Sequence, residues 1–355
     1  MSRTIVLDHA QNASSDISNG TIMKIAFFDI EDWEVEHIKK NIKGHELKFF
    51  KESISKNNIS LIKNYDAIAS FIYAKLDKKI LDRLPKLKLI ATMSTGYDHI
   101  DLKECNKRKI MVCNVPYYGE NTVAEHTFAL ILALSRKIYP SIQRTKMGLF
   151  DVNGLRGFDL KDKTIGLIGT GHISFHVARI AKGFEMKIIG YDIFKNKDMI
   201  KLGLKYVSLN ELLKKSDIIS LHLPLNKSTF HIINSKNIKT LKNNSIIINT
   251  ARGGLIETSA LGKSLASGKL LGAGLDVLEE EGCIKHEDEL LRKKFRKPCN
   301  IKTLLENHVL MKLDNVIITP HNAFNSQEAL QRIIDVTIEN IKAFHNGKTF
   351  NAVKQ

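Results

Sequence analysis

From Met23 onward the chain alternates short apolar runs with longer amphipathic ones. Residues 24–28, 67–71, 87–92 and 110–115 are apolar runs of strand length, and they predict a small parallel sheet. The period then changes. Ala124, Phe128, Ala129, Leu132 and Ala133 recur at helical spacing and predict one long helix over 121–137. Strand–helix alternation resumes beyond it. Strands are predicted at 165–168, 187–191, 217–223, 245–250, 271–277 and 315–319, with helices at 175–183, 209–215 and 259–267, which is the pattern of a doubly wound sheet. The stretch 281–314 is mixed and charged, with a short helix expected around 301–305. A last amphipathic helix, 327–345, follows the completed sheet, a position that predicts its return to the first domain.

The junction between the two patterns carries the clearest chemistry. Residues 164–174 read Thr-Ile-Gly-Leu-Ile-Gly-Thr-Gly-His-Ile-Ser and lead into a helical run. Gly169 permits a tight turn after the strand, and Gly171 lets the backbone approach a pyrophosphate. His172 lies in the glycine turn, where its backbone matters more than its ring, and with Ile173 it is a candidate cofactor contact; the helix start offers free N–H groups and a positive dipole end to a phosphate. Asp192 closes the next strand 21 residues after Gly171, where a carboxylate can bind both ribose hydroxyls and repel a 2′-phosphate. This favours NAD over NADP, although Lys195 and Lys197 follow closely. Ser174 replaces the third glycine of the fingerprint, which serves helix–strand packing, so a slightly shifted helix is expected rather than lost binding.

Composition narrows the class. The 355 residues suffice for two domains, and no apolar run approaches the length of a membrane span. The formal net charge is +16, but the lysines are scattered in pairs without a basic tract or an aromatic stripe, which reads as a solvated surface rather than a nucleic-acid site. Cys105, Cys113, Cys283 and Cys299 form no C-x-x-C pair, so free thiols in a reducing cytoplasm are expected, with Cys113 in the core. No Cys/His cluster has zinc spacing. Residues 1–22 are polar and read as an extension ahead of a natural start at Met23.

Ligands of open α/β sheets lie outside the carboxyl ends of the strands. An arginine, acids and a histidine follow the later strands: Arg252 in Asn249–Gly254, Asp276 with Glu279, Glu280 and Glu281 beyond it, and His321 in Thr319–Ala323. On these and on residues 93–101, 114–116, 120–126, 221–224 and 272–277, the chain from Met23 onward resembles the D-isomer-specific 2-hydroxyacid dehydrogenases, particularly the D-lactate dehydrogenase branch.

The resemblance implies a fold and a site. The fold is α/β, with a Rossmann-type doubly wound NAD-binding domain (120–319) inserted in a smaller flavodoxin-like substrate domain (23–119 and 320–355). The active site lies in a cleft, and the family is usually a homodimer through the NAD-binding domain. The implied catalytic set is Arg252, Glu281 and His321, since the family's glutamate comes five residues after the aspartate that is Asp276 here. Glu279 and Glu280 are then decoys. Arg252 offers a planar fork to a carboxylate and polarises the adjacent carbonyl. His321 exchanges a proton with the reacting oxygen, while Glu281 orients its ring and favours its charged form. Asp276 is expected to face the nicotinamide end. His222, Pro224, Thr250 and Ala251 complete the expected cofactor contacts. Thr95 and Gly96 resemble a carboxylate-binding loop, and Tyr118 matches a substrate-cleft tyrosine. His126, on the long helix, is read as a packing or hydrogen-bonding residue.

The implied reaction is reversible reduction of a 2-oxo acid by NADH, with pyruvate and D-lactate the first choice. Phe324 after His321 leans toward the lactate branch, and Glu281 argues against formate dehydrogenases, which carry glutamine there. Hydroxypyruvate, glyoxylate, 2-oxoisocaproate and phosphoglycerate are the alternatives. A non-enzymatic NAD-sensing corepressor is the reading from another class.

Overall fold

The computed structural model describes residues 21–284 and 300–354, so most of the 1–22 extension, the pair Lys293–Lys294 and Cys299 lie outside the described residues. The chain forms two compact units. One ends at Tyr118 and resumes at Ser326; the other is Gly119–Asn325.

The first unit holds five strands: β1 (Lys24–Phe27), β2 (Glu46–Phe49), β3 (Ala67–Ser70), β4 (Leu89–Thr92) and β5 (Met111–Cys113). They are all parallel in the order β2-β1-β3-β4-β5, the flavodoxin-like arrangement. The pattern missed β2, an edge strand whose side chains are only partly buried. Its core joins Ala26, Phe28, Ile68, Ile90 and Val112. The helix Gln327–His345 belongs to this unit, where the Asn340 side chain donates to the backbone carbonyl of Asn114 at 2.9 Å.

The second unit holds seven more: β6 (Thr164–Ile168), β7 (Lys187–Tyr191), β8 (Lys205–Tyr206), β9 (Ile218–Leu221), β10 (Ser245–Asn249), β11 (Leu270–Leu275) and β12 (Val316–Ile318). Their order, β12-β11-β10-β9-β6-β7-β8, is doubly wound and wholly parallel. Strand order reverses between β6 and β9, the crevice where such sheets take ligands. One core contains Ile168, Leu221, Ile247 and Leu275, and a second contains Ile131, Leu167, Val177 and Ile248. Each such side chain contributes roughly 1.5–3 kcal/mol on burial. The two-residue β8, at the edge, was too short to leave a pattern.

Three expectations are corrected. The second unit extends to Asn325 rather than 319, because Asn322 and Ala323 donate their backbone N–H groups to the buried carboxylate of Asp276. The helix after the glycine turn starts at His172, not 175, and buries Ser174 with its hydroxyl unpartnered. Cys105 and Cys113 are free and buried, and burial pushes the Cys113 thiol up to about 12. Cys283, by contrast, is disulfide-bonded. Spacing rules find pairs close in sequence, whereas a disulfide needs only closeness in space.

Glu34 generates a stability prediction. It lies in the helix Asp32–Asn41, accepts from the Glu31 backbone N–H at 2.7 Å, and burial pushes its carboxyl up to about 7. The unfolded chain sheds this proton near the ordinary glutamate value, but the folded chain holds it until about 7. Stability attributable to this group therefore falls as pH rises between those values and is level above them. Glu34→Gln keeps the acceptor without the charge. It is expected to be more stable than wild type at pH 8 by roughly 1–3 kcal/mol. The gap should close near pH 4.5, where Glu34 is largely neutral in the fold. Denaturant unfolding at the two pH values checks this; a gap that is the same at both would refute it.

Candidate active site

Arg252, Glu281 and His321 follow three neighbouring strands. Arg252 stands just beyond β10, Glu281 beyond β11 and His321 beyond β12, and these strands pair side by side. Asn249 shapes the first turn: its side chain accepts from the Ala251 N–H and donates to the Arg252 carbonyl. Thr250 is anchored to the long helix Glu120–Ser135 through the Thr127 hydroxyl at 3.1 Å. Gly253 brings this turn against the next one. A Cβ there would stand 2.0 Å from the carbonyl carbon of Leu278, so only glycine allows the two backbones this approach.

The three acids after Asp276 separate by their partners. Glu281 lies 2.7 Å from Nδ1 of His321. Glu279 instead receives the backbone N–H of Thr258, at the start of the helix Thr258–Ala266, and lies 2.7 Å from the His231 ring. Glu280 takes a left-handed φ of 56°, and its side chain lies 3.4 Å from the Cys283 sulfur. Of the three, Glu281 is therefore the one on the histidine.

Asp276 is the anchor of the loop that carries His321. It is 1% exposed, and both its oxygens are engaged by the His321 loop. Oδ1 accepts from the Thr319 hydroxyl and the Asn322 N–H, and Oδ2 accepts from the Ala323 N–H at 2.9 Å. A buried carboxylate has only acceptors and must find donors. Here the loop supplies them. His126 joins the group through Thr319. The pattern gave this no signal, because the contact spans 193 residues.

Residues expected to hold the dinucleotide follow the neighbouring strands β9, β6 and β7. Gly169 has φ 95°, and a Cβ on it would meet the His222 carbonyl oxygen at 2.7 Å. Gly171 caps the helix and faces open space, so that a ligand can approach its backbone where a side chain would otherwise stand. His172 is exposed and Ile173 half-buried at the first turn. Asp192 is held at the end of β7, accepting from the Thr170 N–H at 2.7 Å and the Phe194 N–H at 3.2 Å. The half-buried His222 lies 2.9 Å from the Ser220 hydroxyl, and desolvation holds its ring well below the usual imidazole range, hence neutral. Pro224 is exposed two residues on. This cradle fits an NAD pyrophosphate and an unphosphorylated ribose.

The first unit places the remaining candidates. Thr95 and Gly96 follow β4 in a loop tied by the Ser94 hydroxyl to the Gly96 carbonyl at 2.6 Å and by the Thr95 hydroxyl to the Val115 carbonyl at 2.8 Å. The backbone N–H groups of Thr95 and Gly96 donate to no protein acceptor among the described residues. Tyr118 ends the segment and its carbonyl accepts from Arg332 at 2.7 Å.

This fold and rim define a nucleotide-dependent oxidoreductase, and the comparisons specify it. Residues 128–323 match the family described as D-isomer specific 2-hydroxyacid dehydrogenase, NAD binding domain. A 2-hydroxyacid dehydrogenase homolog of Haemophilus influenzae is 35% identical over 92% of this chain and 97% of its own. A glyoxylate reductase of Korarchaeum cryptofilum is 36% identical over 82% of each chain. Among solved structures, a D-lactate dehydrogenase from Aquifex aeolicus, complexed with NAD and lactic acid, superimposes with a TM-score of 0.82 at 38% identity, covering 91% of this chain and 96% of that one. The chain belongs to the D-isomer-specific 2-hydroxyacid dehydrogenase family, NAD-dependent oxidoreductases.

Gly253→Ala tests the packing of the Arg252 turn on the segment that leads to Glu281. The two backbones must separate, displacing both side chains. Turnover is expected to fall about 10²-fold, the scale of a misplacement near 1 Å. Steady-state kinetics with circular dichroism checks this, and a fully active, folded variant would contradict it.

Proposed function

We propose that the enzyme reduces pyruvate to D-lactate reversibly, with Arg252, Glu281 and His321 as its working side chains. The observation that carries the assignment of roles is the 2.7 Å pairing of Glu281 with Nδ1 of His321. That pairing leaves Nε2 as the ring atom that exchanges a proton with the substrate oxygen. In the reducing direction His321 gives its proton to the carbonyl oxygen; in reverse the neutral ring takes it from the alcohol. Glu281 fixes the ring plane and balances the charge the ring carries before donation. Arg252 binds the substrate carboxylate with two parallel N–H groups and draws electron density from the adjacent carbonyl. NADH supplies the hydride when bound.

The backbone donors of Thr95 and Gly96 are assigned to the same carboxylate, and Tyr118 to the substrate's surroundings. Gly169, Gly171, His172, Ile173, Asp192, His222, Pro224, Thr250, Ala251 and Asp276 are assigned to the cofactor. Pyruvate is preferred on the likeness to the Aquifex aeolicus enzyme and on Phe324 beside His321. Glyoxylate is the second reading, favoured by the Korarchaeum cryptofilum relative. Self-association fits the exposed apolar side chains of Ile138, Ile142, Met147, Leu149, Phe150 and Val152, so a homodimer through this unit is proposed. No helix among the described residues is long and apolar enough to cross a membrane. A cytoplasmic location is proposed on the resemblance alone, and the Cys283 disulfide, of a kind rare in that reducing compartment, weighs against it.

A panel of 2-oxo acids assayed with NADH and NADPH tests the substrate reading. Pyruvate should give the highest kcat/KM. NADH should far outperform NADPH at low concentration, because the Asp192 carboxylate repels a 2′-phosphate. A clear preference for glyoxylate would replace pyruvate, and equal use of both cofactors would remove Asp192 from cofactor choice. Arg252→Lys keeps the charge but loses the fork. It should raise KM and lower kcat together while leaving NADH affinity unchanged, as read by kinetics and fluorescence titration. A variant near wild type would show that Arg252 is not the anchor.

A further inference from the structure

We propose that His126 is a positioning residue for this reaction, acting through Thr319 and Asp276 to hold the loop that carries His321. The inference rests on the reading of His321 as the proton donor.

His126 lies within the long helix Glu120–Ser135. Its Nε2 is 3.1 Å from the Thr319 hydroxyl and 3.6 Å from Oδ1 of Asp276. The Thr319 hydroxyl has a single proton, and it donates that proton to Asp276. It must therefore accept from His126, which places a proton on Nε2 of that ring. Asp276 passes the constraint on, accepting the N–H groups of Asn322 and Ala323 at 2.9 Å each. These bonds bracket His321 on both sides. The bracketed residue has φ 56°, a left-handed conformation that non-glycine residues rarely adopt, and its own N–H folds back onto the Thr319 carbonyl at 2.9 Å. Such a backbone persists only where its surroundings over-determine it. Among the described residues, His126 is the one basic side chain within 4.0 Å of the Asp276 carboxylate. A histidine that merely filled space on the helix would need none of this hydrogen-bond geometry.

Four variants test the proposal: His126→Leu, His126→Gln, Thr319→Val and the double variant His126→Leu/Thr319→Val. Leucine removes the donor, whereas glutamine returns an N–H near the Nε2 position. His126→Leu should lower kcat about tenfold, the order expected for one buried hydrogen bond. KM and the dissociation constant for NADH should stay within about twofold. His126→Gln should recover most of the rate. The double variant should be no slower than the slower single one, because both substitutions break one chain of bonds. Amide hydrogen exchange of the peptide 319–325 should accelerate in His126→Leu, a readout independent of turnover. An unchanged kcat with unchanged exchange, additive losses in the double variant, or equal losses in the glutamine and leucine variants would each overturn the proposal. His321→Ala serves as the control. If it turned over like wild type, the general-acid reading would fail, while the exchange data would still decide whether His126 holds the loop.

Discussion

Parallel strand pairing is the constraint on which the site depends. All strand pairs in both sheets run parallel, so the carboxyl ends of the strands in each sheet open on one edge. A parallel sheet needs a crossover after every strand, and each crossover begins with a loop on that edge. The turns after β10, β11 and β12 thus deliver an arginine, a glutamate and a histidine side by side, although 69 residues separate Arg252 from His321. The turn after β6 delivers the phosphate cradle where the strand order reverses. Apolar burial holds these strands in register, and the polar chemistry is confined to their ends.

Within that frame, two close approaches set the geometry. Gly253 lets the arginine turn lie directly on the Leu278–Glu279 backbone. Asp276 gathers three donors from the histidine loop into a place almost without solvent. Burying a carboxylate is unfavourable unless it is well hydrogen-bonded, and losing those partners would leave a charge without compensation. The loop is therefore locked to the sheet, which explains why residues 320–325 belong to the second unit. For the general-acid role proposed for His321, rigid attachment to a strand end suits the task better than a free loop does.

Much of this was legible from pattern. The buried strands announce themselves as continuous apolar runs because both faces of a parallel sheet are covered. The glycine turn and Asp192 announce a dinucleotide because each residue type answers a local geometric need. Among the elements that escaped were the short edge strands β2 and β8 and the helix Asp32–Asn41. Their side chains are partly exposed, so no strict apolar period is imposed on them. The Cys283 disulfide escaped as well, since its pairing is a matter of proximity in space.

By itself the sequence determined the α/β class, the position of the nucleotide turn, and the choice of arginine, glutamate and histidine as candidates. These follow from local periodicity and from residue chemistry, both of which act over a few neighbours. Resemblance already pointed to Glu281 among the three consecutive acids, whereas only the tertiary structure decided where Glu279 and Glu280 go, that Asp276 holds the histidine loop, and that His126 stands behind Thr319. Those outcomes depend on which side chains a folded sheet brings within 3–4 Å of one another, and hydrogen bonds of that range depend on distance in space, not along the chain.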